Sequence, residues 1–319
     1  MAEAGFMAMR GSGAGGRVLA IGECMIELAL GADGLYRKGF AGDTFNTAWY
    51  LRRLLPAAFD VAYLSGVGDD AESQAMLAFM AGAGIDTGFV RRVPRRMPGL
   101  YMIRLDGAER SFTYWRDTSA AKELAADPAH LEAAIDAADA LYFSGITLAI
   151  LSPAHREALL ARLGRAKADG RIVAFDPNIR PRLWADKAEM CAAIEAGARA
   201  ASLSLPSFAD EAEAFGDASP EETAERYLAL GAAEVVVKDG GGPALVAAGR
   251  TRLAVAARQV EDAVDTTGAG DSFSAAYLAA RLCGREPADA ARSAHGLAGE
   301  VVRHRGALVE GIETIAAIV

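Results

Sequence analysis

Between Leu131 and Lys238, short apolar runs alternate with stretches of helical periodicity, and this alternation leaves the chain few architectures. Leu141-Tyr142-Phe143, Arg171 to Phe175, Ala201 to Leu205 and Glu234 to Lys238 have strand length, and Pro153 to Ala168 carries a helical pattern. Apolar strands joined through helices form a parallel sheet buried on both faces. The first part of the chain adds to the series. Val18 to Ile21 and Val61 to Gly66 read as strands, and a helix runs to about Leu55 and another over Asp70 to Ala83. The expected class is α/β, with a mostly parallel central sheet covered by helices on both sides. A chain of 319 residues, 52% of them hydrophobic, has ample material for that core.

Two segments break the alternation. Glu23 to Phe40 is alternating and turn-rich, which suits a second, exposed sheet. Pro98-Gly99 opens a hairpin: Leu100 to Leu105, a turn at Asp106-Gly107, and a return strand from Arg110 to Arg116. On the return strand Phe112, Tyr114 and Arg116 share one face, and Tyr101 and Ile103 alternate on its partner. Such a face can take a small carboxylate, the phenol donating one bond and the guanidinium two. It can equally be a half-buried sheet face with a surface arginine. No internal repeat or long linker appears, so one domain is expected over 17–319, with lid segments at about 23–40 and 97–117. Residues 1–16 read as a flexible tail. They contain a formal GxGxxG at Gly11 to Gly16, but it precedes a strand where a dinucleotide motif must follow one. Two helical patterns, from about Pro287 to Arg303 and Glu310 to Ala317, close the chain.

A formal net charge of −9 argues against nucleic acid as a partner, and any anion site must be locally basic. Three cysteines without a CxxC pair or a histidine cluster do not make a zinc site and fit a reducing compartment. No apolar run is long enough to span a membrane, so a cytoplasmic location is expected.

The chemistry concentrates in a few loops. In Asp265-Thr266-Thr267-Gly268-Ala269-Gly270-Asp271, glycines precede a helical pattern, so free backbone N–H groups and the positive helix end can face an anion, most plausibly phosphate. Asp271 can be an N-cap or a base facing a phosphate acceptor. Upstream, Asp43 or Thr44 can cap the helix that follows Gly42. Asp43 and Asn46 share its first turn, where they can grip vicinal hydroxyls or serve as ordinary capping groups. Asn178 and Arg180 lie just past one strand end, and Lys238-Asp239-Gly240-Gly241-Gly242 past another. Ligands of open α/β sheets bind at that edge.

These strings resemble one family. Asp265 to Asp271 looks like the C-terminal signature of ribokinase-like (PfkB) carbohydrate kinases, and Ala41 to Ala48 resembles their N-terminal one. The resemblance runs from about Val18 to Gly306. It includes Ile21 to Leu28, Pro98 to Tyr101, Glu109 to Arg116, Tyr142 to Ile146 and Asn178 to Trp184. It implies a ribokinase-like three-layer sandwich with a small β-sheet lid, and ATP-dependent phosphorylation of a hydroxyl with Mg²⁺. The members matched most closely phosphorylate 2-keto-3-deoxygluconate at its 6-hydroxyl. Kinases for 2-keto-3-deoxygalactonate, fructose or ribose are the alternative, and a non-catalytic sugar sensor is a further one.

By the same resemblance Asp271 is the general base, and Gly268, Ala269 and Gly270 form the anion hole. Gly42, Asp43, Asn46, Tyr101, Tyr114, Arg116, Asn178 and Arg180 hold the sugar acid, and Lys238, Gly240, Thr267, Gly268 and Gly270 hold the nucleotide. Many relatives carry Asn-x-x-Glu beside the Mg²⁺ site. This chain has Pro206-Ser207-Phe208-Ala209-Asp210-Glu211 there, so Asp210 or Glu211 is the expected substitute. A monovalent cation near the signature and a homo-oligomer formed through the lid are further properties the resemblance implies.

Overall fold

The computed structural model describes residues 15–31, 33–106, 109–257 and 259–311. The expected tail and the last helical pattern fall almost wholly outside these residues, as does part of the hairpin turn. Thirteen strands are described: β1 (Arg17–Ile21), β2 (Met25–Leu30), β3 (Tyr36–Ala41), β4 (Asp60–Val67), β5 (Val90–Arg92), β6 (Leu100–Asp106), β7 (Glu109–Trp115), β8 (Ala140–Ser144), β9 (Ile172–Asp176), β10 (Leu203–Ser204), β11 (Glu234–Val237), β12 (Ala244–Ala248) and β13 (Thr251–Val255). The helices are α1 (Asp43–Leu54), α2 (Ala71–Gly82), α3 (Pro128–Asp136), α4 (Gly145–Ile150), α5 (Pro153–Ala168), α6 (Lys187–Ala200), α7 (Phe208–Phe215), α8 (Pro220–Ala229), α9 (Ala269–Leu282) and α10 (Pro287–Val301).

Nine strands form the main sheet in the order β13-β12-β11-β10-β9-β8-β1-β4-β5. From β11 to β5 every pairing is parallel; β12 and β13 are added antiparallel at one edge. Alternation along β1 sorts the two faces. Val18 and Ala20 join the core under α1, α2, α9 and α10, whereas Leu19 and Ile21 join the core under α3 to α8. The result is the expected three-layer α/β sandwich. The antiparallel edge is a detail that the alternation did not announce.

The lid is a separate four-stranded sheet, β3-β2-β6-β7, in which β2 pairs parallel with β6 and the other pairings are antiparallel. Tyr101 lies opposite Tyr114 across β6 and β7. The lid carries its own small core of Met25, Ala41, Tyr101 and Ile103, closed by Ala307 from the C-terminal segment.

Helix α9 positions the chemistry. Nearly all of it is buried, and Ala275, Ala276, Ala279 and Ala280 let it pack closely between α1 and α10. Its far end is pinned to β11: Arg281 donates to both carboxylate oxygens of Glu234 at 2.9 Å, and Tyr277 donates to the same group at 2.8 Å. That buried network fixes where the glycine-rich start of α9 meets the sheet edge.

Candidate active site

A cavity of about 1000 Å³ opens where the C-terminal ends of β9 and β11 meet the lid and the starts of α1 and α9. Of the residues expected to act, it gathers Gly42, Asp43, Asn46, Tyr101, Tyr114, Arg116, Asn178, Arg180, Asp210, Lys238, Thr267, Gly268, Gly270 and Asp271 in its wall. Ala269, Gly240 and Glu211 are not in it.

The start of α9 decides how Asp271 can act. Gly268 is the N-cap, with φ 76°, and a Cβ there would stand 2.7 Å from the Ala307 carbonyl oxygen. Only glycine meets both conditions easily. Asp271 is therefore the third residue of the helix, and the capping role considered for it is ruled out by position. Within the helix, Gly270 and Asp271 belong to the first turn, whose N–H groups have no intrahelical acceptor. Ala269 differs, because its N–H donates to Thr266 O at 3.2 Å. The loop before the helix is clamped by Asp265, whose two oxygens accept from Thr267 N–H at 2.9 Å and Gly306 N–H at 2.7 Å.

Asp271 is partly exposed, on the cavity wall, and Asn46 Nδ2 donates to its Oδ2 at 2.8 Å. Burial pushes its carboxyl up to about 7. Asp43 and Asp176 add to the rise, while the Asn46 bond and Lys238 oppose it. A carboxyl tuned in this way exchanges its proton near neutral pH.

Helix α1 starts differently from expectation. Gly42, not Asp43 or Thr44, is the N-cap, and no side chain caps the helix. Asp43 instead accepts from Asn178 Nδ2 at 2.9 Å, and Asn46 uses its Oδ1 to accept from Gly42 N–H at 3.3 Å. The carboxylate is thus turned into the cavity. Gly42 packs against the loop after β1, where a Cβ would stand 2.1 Å from Glu23 O.

In the cavity wall, Lys238 Nζ lies 2.6 Å from Asp176 Oδ2, and Ser274 Oγ donates to the same oxygen at 2.9 Å. Both charged groups are buried. Lys238 Nζ is 3.8 Å from where a Cβ on Gly270 would sit, which places its charge beside the helix start.

On the lid side, Phe112, Tyr114 and Arg116 all reach the cavity, as their shared face requires. Two of the expected ligands already have internal partners. Tyr101 donates its hydroxyl to Glu27, and the Arg116 guanidinium is paired with Glu23, which is buried. Arg180 stands 3.6 Å from Asp210 and lines the opposite wall.

The two metal candidates separate. Asp210 lines the cavity, and burial raises its carboxyl above the usual range. Glu211 points the other way, fully buried, accepting from Arg226 and Tyr227 at 2.9 Å each. It belongs to a core network and is not part of the cavity wall. Gly240 lies exposed in the turn between β11 and β12 with φ 54°. Glu23, Asp176 and Asp265 are the site residues that sequence reasoning passed over. Asp265 begins a string it had singled out and Asp176 lies two residues before another, but the partners of Glu23 and Asp176, Arg116 and Lys238, are distant in sequence.

The family model for pfkB family carbohydrate kinases matches residues 16–314. The chain belongs to the pfkB family. It is an ATP-dependent carbohydrate kinase. It is 43% identical over 302 residues to 2-dehydro-3-deoxygluconokinase of Escherichia coli K12, covering 92% of this chain and 97% of that one. It is 40% identical over 297 residues to the enzyme of the same name from Dickeya dadantii, covering 91% and 95%. Among solved structures, a putative ribokinase II from E. coli in complex with ATP and Mg²⁺ superposes with a TM-score of 0.81 at 25% identity, covering 95% of this chain and 98% of that one.

Proposed function

We propose that this kinase transfers the γ-phosphoryl group of ATP to the 6-hydroxyl of 2-dehydro-3-deoxygluconate, the keto acid also called 2-keto-3-deoxygluconate. The observation that carries the reaction is Asp271, held by Asn46 at the glycine-rich start of α9 and tuned to about 7. Relatives of that name, 40% or more identical over nearly the whole chain, support the substrate.

The geometry suits in-line transfer. The sugar hydroxyl lies against Asp271 and its oxygen attacks the γ-phosphorus. The bond to the β-phosphate oxygen breaks, ADP leaves, and the hydroxyl proton passes to Asp271. Phosphoryl transfer needs little covalent chemistry from the protein, so positioning and charge dominate. The N–H groups at the start of α9 and the Lys238 ammonium face the transferring oxygens. Asp43, Asn46 and Asn178 orient the sugar hydroxyls, Thr267 and Gly268 border the phosphates, and Tyr114, Arg116 and Arg180 wall the acid end.

The donor set fits Mg²⁺ carried in with the nucleotide. No three acidic, histidine or cysteine side chains among the described residues group to hold a metal by themselves. Mg²⁺ in kinases is held chiefly by phosphates and water with one or two carboxylates, and Asp210 on the wall supplies one. The ion neutralises charge on the phosphate oxygens when bound.

The site has two measurable consequences, one for substrate choice and one for pH. With ADP release as the readout, the sugar acid should turn over faster than fructose or ribose by orders of magnitude. Preferential use of a neutral sugar would overturn the substrate. The second concerns pH. Asp271 must be ionised to take a proton, and its carboxyl is raised, so activity is lost as pH falls through about 7. Below that point kcat/KM should drop about tenfold per pH unit, with a plateau above it. A rate independent of pH between about 5.5 and 8 would remove Asp271 as the base.

We also place a self-association surface on the lid, whose outer residues include Leu35, Tyr36 and Trp115, 66%, 41% and 54% exposed. Sedimentation of the purified chain tests it. A monovalent cation beside the signature loop is tested by exchanging K⁺ for Na⁺ in the assay. Three free cysteines support a cytoplasmic location.

A further inference from the structure

Helix α1 presents two threonines to the sheet beneath it. Thr44 and Thr47 lie three apart on one face, and each meets the hydroxyl of a tyrosine from a strand below. Thr44 Oγ1 is 2.8 Å from the Tyr63 hydroxyl of β4, and Thr47 Oγ1 is 3.2 Å from the Tyr142 hydroxyl of β8. All four side chains are fully buried. A buried hydroxyl without a partner is costly, so each pair satisfies a need of the core. The two pairs are alike in chemistry and differ in what lies beyond them.

The Thr47 hydroxyl has two further oxygens within reach, the Asp43 carbonyl at 3.1 Å and the Asp271 carbonyl at 3.3 Å. The first is the common bond of a helical threonine to the residue four before it. The second crosses to α9. Asn46, the residue before Thr47, donates to the Asp271 carboxylate, so consecutive residues of α1 hold the side chain and the main chain of Asp271. A carbonyl oxygen has two lone pairs, so the Asp271 carbonyl can take this contact in addition to its bond within α9. Thr47 thereby ties Asp43 at the start of α1 to Asp271 at the start of α9, with Tyr142 beneath it. The Thr44 hydroxyl makes no bond to α9 among the described residues.

We propose that Thr47 is a positioning residue for phosphoryl transfer: its hydroxyl, backed by Tyr142, fixes where Asp271 stands relative to Asp43 and Asn46. Asn46 sets the direction of the carboxylate, and Thr47 sets the place of the main chain that carries it. A sugar hydroxyl oriented by Asp43 and Asn46 then meets the base in line. Displacing a reacting group by about 1 Å can cost about 10²-fold in rate, so a loss of register between these two helix starts appears in kcat.

This inference rests on Asp271 as the base, and the test separates the two. Wild type is compared with Thr47→Val, Thr47→Ser, Thr44→Val, the double variant Thr47→Val with Tyr142→Phe, and Asp271→Asn. Each is assayed with ATP and the sugar that wild type turns over fastest, measuring kcat, both KM values and Tm. Thr47→Val keeps the shape and loses the hydroxyl. Its kcat should fall about 10-fold while both KM values stay within about twofold. Thr47→Ser keeps the hydroxyl and should retain kcat within about threefold. Thr44→Val orphans a buried tyrosine hydroxyl in the same way, so it should lose Tm like Thr47→Val but keep kcat near wild type. The double variant leaves no orphaned hydroxyl, so it should regain Tm and still turn over slowly; it carries the comparison if Thr47→Val does not fold. A Thr47→Val kcat within about twofold of wild type would overturn the inference, as would an equal loss in Thr44→Val or Thr47→Ser, or recovery of kcat together with Tm in the double variant. Asp271→Asn inactive beside a fully active Thr47→Val would overturn the role of Thr47 alone. An active Asp271→Asn would overturn the base, and this inference with it.

Discussion

Replacing Asp271 with Asn should lower kcat about 10²-fold or more while leaving KM for both substrates within a few-fold. Asn is nearly isosteric and keeps an oxygen to accept from Asn46 Nδ2, so the ligand wall is preserved and only the proton acceptor is lost. The same substitution should stabilise the protein. Because the folded-state carboxyl is raised to about 7, the native state holds a proton that the unfolded chain releases at lower pH. Stability therefore falls as pH rises towards 7, and above it Asp271 bears its full unfavourable charge beside Asp43 and Asp176. The variant's gain in Tm should be largest above pH of about 7 and fade towards about 4. Thermal denaturation across pH checks this. A lower Tm at high pH would mean that the carboxylate is a net structural asset and not a strained functional group.

Replacing Lys238 with Met has the opposite stability sign. Asp176 would remain buried, with the Ser274 hydroxyl but without its ammonium partner. Removing one member of a buried pair costs about 3–5 kcal/mol. For a chain of this length that corresponds to a fall in Tm of about 10 °C. The nucleotide should be affected separately, because the ammonium is the cation beside the start of α9. Combining Lys238→Met with Asp176→Asn removes both charges and should recover much of the Tm, while kcat/KM for ATP stays low. Recovery of activity together with stability would show that the pair serves only the fold.

The parts of the site visible in the sequence are those whose chemistry is local. The glycines before Asp271, the shared face of Phe112, Tyr114 and Arg116, and the first turn bearing Asp43 and Asn46 each follow from spacing within one element. What was hidden is pairing over long separations. Glu23 meets Arg116 across 93 residues, and Asp176 meets Lys238 across 62. Neither pairing has a local signal, so the sequence reading gave Arg116 and Lys238 no charged partner.

Helical phase explains the metal candidates. Asp210 and Glu211 are adjacent in α7, and neighbouring residues on a helix point about 100° apart. One reaches the cavity and the other the core, which the sequence could distinguish only with the packing of α7 known. The capping assignment at α1 failed for a related reason. Asp43 has a suitable side chain for the cap, but Asn178 holds it on the cavity side.

The most direct test of the account is the position of the transferred phosphate. The purified kinase is incubated with 2-dehydro-3-deoxygluconate and Mg·ATP, and the product is read by phosphorus NMR with proton coupling. One phosphomonoester per ADP is expected, coupled to the two C6 protons of the acid and absent in Asp271→Asn on the same time scale. Phosphate on another carbon, or ADP formed with free phosphate and no sugar ester, would contradict it.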